Sequence, residues 1–185
     1  MSAVERGKSA AEGSFELECD TILLSVGLIP DNELSRRFGV RLNPETGGPF
    51  VDSALMSSVP GVFACGNVLH VHDLVDFVSE ESERCASFVV EYLKGGSEPR
   101  QHPIIPGANV RYVIPNRYRP ETQNRFYLRS LIVKNRAELV VSLGGRALVR
   151  RKLAHVQPSE MVSFALEAAH LSGAPDGKEL EVSIH

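Results

Sequence analysis

The chain has 185 residues, 43% hydrophobic and 23% charged side chains and a net charge of -3, which suits a soluble protein with one good core or two small ones. No stretch approaches the roughly 18 consecutive apolar residues of a membrane span, and Met1 to Gly13 is too polar for a signal peptide, so a cytoplasmic protein is expected. Three widely spaced cysteines (Cys19, Cys65, Cys85), with no C-x-x-C, point away from a disulfide framework, a cysteine zinc site and an internal dithiol redox centre.

Charge changes sign along the chain. Residues 1–98 hold 16 acidic and 7 basic side chains, whereas 99–185 hold 7 acidic and 13 basic. A switch near "KGGSEPRQHPIIPG" marks either a domain boundary or two faces that attract each other. The arginines of the second half (Arg111, Arg117, Arg119, Arg125, Arg129, Arg136) are spread along expected strands rather than clustered, so nucleic-acid binding is not expected.

"FELECDTILLSVG" begins with alternation, Phe15, Leu17 and Cys19 inward against Glu16, Glu18 and Asp20 outward, and runs into "TILLSVG". It reads as a half-exposed strand passing into one buried on both faces. "LIPDNELSRRFGV" predicts a short helix with Asp31 or Asn32 as N-cap and Gly39 as its stop. "RLNPETGGPFVD" is turn-rich and fits a hairpin or an extended excursion. "VPGVFACGN" reads as a second short buried strand. From Asp73 to Leu93 an apolar stripe recurs at helical spacing, at 74, 75, 78, 82 (Ser82), 85, 89, 92 and 93. Glu80, Glu81, Glu83 and Glu91 are placed on that helix's solvated face, and Gly95-Gly96 ends it.

The second half reads differently. "NVRYVIP", "RFYLRSLIV", "ELVVSLGGRALVRRKL", "EMVSFALEA" and "LEVSIH" are strand-like, and "VSLGGRALV" is the clearest hairpin. A small antiparallel β-domain of sandwich type is expected, with Arg150-Arg151-Lys152 on a solvated strand face.

The residues with chemical promise sit between the second strand and the long helix. A buried strand ending in Ala64, Cys65 and Gly66 lets a ligand approach the backbone. Asn67 projects from the strand's carboxyl end and can donate to or accept from a sugar-like hydroxyl. The helix start near Asp73 points free N–H groups at the same crevice. His70 and His72 form an H-x-H pair to which Asp73 adds an oxygen, the start of a metal site, but a further clear ligand is lacking, so no metal is assigned; a role touching or supporting a flavin and a solvated loop are the other readings for them. Cys65 and Cys85 are expected in the core. No catalytic triad or paired carboxylate stands out, and no catalytic residue is assigned.

"CDTILLSVGLIPDNEL" and, about forty residues on, "VPGVFACGNVLHVHDLVDFVSEESERCA" resemble the C-terminal FAD-binding motifs of the flavin-dependent pyridine nucleotide–disulfide oxidoreductase superfamily. "ACGNVLHVHDLVDF" is most similar to a bacterial subgroup of FAD-dependent oxidoreductases often encoded beside glycerol-3-phosphate dehydrogenase. The resemblance covers about residues 15–95. It implies that Asn67, at the place of the family's Gly-Asp aspartate, binds the ribityl part of FAD with hydrogen bonding but without charge. It implies that Gly66 makes the turn, that Gly27 passes the dinucleotide, and that the backbone N–H groups of Leu74 and Val75 face the flavin pyrimidine edge, with Asp73 and Asp76 partly opposing that field.

Folds of this kind open with a G-x-G-x-x-G turn for the pyrophosphate, and no G-x-G occurs in the chain. The motifs present are expected to be the closing third of such a protein. The fold expected is therefore α/β: residues 1–98 as the C-terminal portion of an FAD/NAD(P)-binding Rossmann-like domain, and residues 99–185 as the small β-domain. The expected function is a fragment or subunit of an FAD-dependent oxidoreductase exchanging hydride with NAD(P)H, completed by the missing N-terminal portion or a partner subunit. The alternative is a non-catalytic piece whose basic β-domain docks on a partner protein.

Overall fold

The computed structural model describes residues 16–25, 27–95, 100–171 and 179–185, together with the backbone of two short paired strands, β1 (Val4–Glu5) and β2 (Lys8–Ser9). The expected boundary at 98/99 and the expected stop at Gly96 lie outside the described residues.

Most of the regular structure is in the second half. β3 (His102–Pro106), β4 (Val110–Ile114), β5 (Arg117–Tyr118), β6 (Asn124–Ser130), β7 (Lys134–Leu143), β8 (Arg146–Val156), β9 (Met161–Leu166) and β10 (Leu180–Ile184) form two sheets. One sheet has five strands in the order β5-β3-β10-β7-β8, and the other has three, in the order β4-β6-β9. Gly144 and Gly145 both take positive φ, the backbone that a tight hairpin turn between β7 and β8 requires. The five-stranded sheet is mixed rather than purely antiparallel, because β3 runs parallel to β10. β3 was not foreseen: "HPIIP" carries two prolines and looks like a linker.

Inward residues of both sheets pack as one cluster that includes Tyr118, Leu139, Val141 and Ile184 from the larger sheet and Phe126, Leu128 and Phe164 from the smaller. Phe126 and Phe164 face each other across β6 and β9 and stack at 5.1 Å, adding about 0.5–1.5 kcal/mol beyond their buried area.

Among its described residues the first half holds two helices, α1 (Glu33–Arg37) and α2 (Val75–Leu93), and one 3-10 turn at Gly66–Val68. Here two expectations are corrected. Residues 16–25 form no strand, and Leu17, Ile22, Leu23 and Leu24 are exposed rather than buried on both faces. "VPGVFACGN" contributes only an isolated bridge, Met56 to Phe63. The composition suits strands, but a strand exists only when a neighbour takes its backbone groups, and no described residues pair with 16–25. A second, smaller core does form: Val51, Leu55, Leu69 and Cys85 pack with Tyr112 and Ile114 of β4, joining the loops and α2 to the β-rich half.

The charge asymmetry is spent across that junction. Glu80 of α2 pairs with Arg125 at 3.1 Å, Asp73 with Arg129, and Glu45 with Arg111 at 3.4 Å. The acidic and basic halves thus face each other. Arg150, Arg151 and Lys152 are solvated as expected, Arg150 pairing with Glu138 along the exposed strand face. Among the described residues no helix is long and apolar enough to cross a membrane.

Candidate functional site

Gly66 turns the chain at φ +68°, a left-handed conformation that favours glycine, and its N–H donates to the Glu81 carboxylate at 2.6 Å. Asn67 stands exposed at the tip of the 3-10 turn, and its Oδ1 accepts the His72 N–H at 3.1 Å. The loop from 67 to 72 is thus closed by its own first side chain. Beneath it, Gly48 passes so close to the Leu69 carbonyl that a Cβ there would lie 1.8 Å from the oxygen. Only glycine allows that approach.

Asn32 is buried at the boundary of α1, yet it makes no side-chain cap. Its Nδ2 donates to the carbonyls of Val68 at 2.8 Å and Gly47 at 3.0 Å, and its Oδ1 accepts from Ser35 at 2.7 Å. The "PDN" segment is in this way tied to the Gly66–Val68 turn, which joins the two sequence motifs. Gly27, five residues ahead, is exposed at φ +83° with no atom within 4 Å of a Cβ placed on it. Helix α2 starts at Val75, with Leu74 as an N-cap in extended backbone and no side chain capping the turn. Leu74 and Val75 are both exposed. Gly66, Asn67, Leu74 and Val75 therefore bracket one short loop, and the tie from the earlier motif to it is made by Asn32.

Below this loop the structure departs from expectation. His70 and His72 are not solvated but buried, and so is Glu81, which was placed on the outer face of the helix. His70 Nε2 lies 3.0 Å from Glu81 Oε1, and His72 Nε2 lies 3.2 Å from Oε2. With the Gly66 N–H, the carboxylate meets three N–H partners. Burial alone would raise the Glu81 pKa, but the hydrogen bonds from His70 and His72 outweigh it and hold the group at about 2. Burial pushes His70 below its usual value, against the opposing pull of Glu81, so its ring is neutral at pH 7. The Nδ1 atoms of both rings are buried without a hydrogen-bond partner.

A signal for Glu81 was available. Position 81 lies three residues after Val78 and four before Cys85, so it shares their apolar stripe. A carboxylate on that stripe needs partners, and the H-x-H pair supplies them.

The β-rich half holds this loop from outside. Arg129 of β6 donates to the Val71 carbonyl, between the two histidines, at 3.0 Å and pairs with Asp73. Asp73 also accepts the Met161 N–H of β9. Tyr127 presents its ring edge-on to His72 at 5.4 Å, and its hydroxyl donates to Glu80 at 3.1 Å. Cys85 lies in the core, where burial raises its thiol pKa to about 12, and Cys65 is half-buried. A separate cleft of about 550 Å³ opens beside Arg41, Phe50, Arg111 and Asn116 and includes none of the residues expected to bind FAD.

Residues 3–87 match the family described as pyridine nucleotide-disulphide oxidoreductase. Among curated proteins, the chain is similar to the nitric oxide reductase FlRd-NAD(+) reductase of Salmonella agona (strain SL483), at 25% identity over 81% of this chain and 39% of that protein. It is similar to the same-named protein of Salmonella heidelberg (strain SL476), at 32% identity over 48% of this chain and 23% of that one. The Salmonella typhi protein of that name is 25% identical over 72% of this chain and 35% of its own length. In these alignments the chain spans well under half the length of each relative. No solved structure matches. By sequence, residues 3–87, just under half of the chain, are thus similar to the pyridine nucleotide-disulphide oxidoreductase family.

Proposed function

We propose that this chain supplies the ribityl and pyrimidine side of an FAD site in an NAD(P)H-linked oxidoreductase, acting in a cytoplasmic setting together with polypeptide that carries the pyrophosphate-binding turn. The observation that carries this reading is one loop, within the family-matched segment, that presents an exposed Asn67 and an uncapped helix start at Leu74 and Val75. Bound FAD would supply the ring that accepts and donates hydride.

The residues fit that group. With Asn67 Oδ1 engaged by the His72 N–H, the amide nitrogen of Asn67 is what remains for a ribityl hydroxyl. That contact orients without adding charge. The Leu74 and Val75 N–H groups, at the positive end of a 19-residue helix, would favour electron density on a ring edge placed against them. Asp73 would oppose that field less than its position suggests, since its carboxylate is paired with Arg129, whereas Asp76 stays in the first turn. Gly66 would contribute its turn and not its N–H, which Glu81 occupies. Gly27 leaves room for a ligand to pass its backbone.

The test is bound flavin. The chain is purified alone and after co-expression with the reading frame directly upstream, FAD is added, and flavin retained after gel filtration is measured by absorbance. Flavin retained by either preparation, and weakened by Asn67→Ala, supports the reading. No flavin in both preparations overturns it.

A further inference from the structure

The floor of the loop has a chemistry of its own. Two imidazoles and one carboxylate converge there, their ligand atoms all within 4.8 Å of one another and all three residues buried. We propose that His70, His72 and Glu81 form a structural zinc-class metal site that fastens the H-V-H loop to helix α2. The site needs no flavin and stands independently of the function proposed above.

Three observations carry it. The first is spacing. A zinc ion with bonds of about 2.0–2.2 Å to nitrogen and oxygen sets tetrahedral neighbours roughly 3.3 Å apart. The two Nε2-to-oxygen separations here are 3.0 and 3.2 Å, so small side-chain rotations admit the ion. The second is donor type. Two imidazoles with one carboxylate suit zinc and its first-row neighbours rather than calcium or magnesium, which prefer all-oxygen sites. The third is unmet polarity. The Glu81 carboxylate is met by N–H groups and, among the described residues, by no lysine or arginine. The nearby guanidinium, Arg129, is committed to Asp73 and the Val71 carbonyl. A buried carboxylate without a full countercharge is the deficit that a cation held between it and the two Nε2 atoms, with both rings protonated on Nδ1, would answer.

Burial decides the role. Three protein ligands leave a fourth position for water, and it is the burial of all three that keeps a substrate from that position, so the ion acts as a fastener. Glu81 also takes the Gly66 N–H, so fixing Glu81 fixes the turn that presents Asn67.

The experiment uses the full chain, stripped of metal by chelator. Zinc is offered both to the folded protein and during refolding, bound metal is counted by mass spectrometry, and cobalt(II) replaces zinc for visible absorption. The expected result is one zinc per chain and a tetrahedral cobalt spectrum without sulfur charge-transfer bands. His70→Ala, His72→Ala and Glu81→Gln should each weaken binding at least about tenfold. If an alanine variant fails to fold, the wild-type cobalt spectrum and the near-isosteric Glu81→Gln decide. No stoichiometric zinc by either route overturns the proposal, as does sulfur ligation or binding that Glu81→Gln leaves intact. Since no flavin enters the assay, its failure is separate from failure of the FAD reading.

Discussion

The β-rich half and the segment from 16 to 38 are both rich in apolar side chains, yet only one buries them. In the former, Tyr118, Phe126, Leu128, Leu139 and Ile184 are fully enclosed, while in the latter Leu23 is 92% and Ile29 89% exposed. Apolar composition therefore specifies a strand only together with the strands that flank it. β6 and β7 have such neighbours within reach of the chain. "TILLSVGLI" has none among the described residues.

Substitutions in the two regions should differ sharply. Phe126→Ala removes a stacked, enclosed ring and should cost about 3–5 kcal/mol in urea denaturation, whereas Leu23→Ser should move stability by less than about 0.5 kcal/mol and reduce aggregation measured by light scattering. A comparable loss for both would mean that 16–38 belongs to the cooperative core. Glu81→Ala strands two buried histidines and the Gly66 N–H, for an expected cost of about 3–5 kcal/mol by the same assay. Arg129→Ala removes the clamp on Val71 and Asp73 and should cost about 1–3 kcal/mol, with faster amide exchange confined to the loop around 70–73. The smallest effect is chemical. With its thiol pKa raised to about 12, Cys85 stays protonated at pH 8 and becomes reactive only near its raised value or on unfolding. Alkylation of native protein at pH 8 should mark exposed Cys19 and spare Cys85.

Much of the β-rich half was legible because its signals are local. The Gly144-Gly145 hairpin and the runs of β4, β6, β9 and β10 can be read within a few residues each. β3 was hidden, since its pairing with β10 joins segments far apart in sequence and its prolines argue against a strand. Helix α2 was read within two residues of its start, but its faces were misassigned. Placing Ser82 rather than Glu81 on the apolar stripe sent the carboxylate to solvent and left His70 and His72 without a partner. The same error hid the metal-type cluster, whose third member lies nine residues from His72. Asn32 does stand at the N-cap of α1, as expected, but its side chain makes no cap, and its bonds to Val68 and Gly47 reach across the chain where no local rule could find them.

The clamp on Asp73 has a consequence for how the molecule comes into being. One of its partners, the backbone N–H of Met161, is 88 residues further along the chain. On a ribosome, the loop that presents Asn67 and the start of α2 emerge long before β6 and β9 exist to hold them. The H-V-H-D segment must therefore wait, with Val71 and Asp73 unengaged by Arg129, until the β-rich half has folded. Site assembly should be a late event that reports completion of the C-terminal sheets.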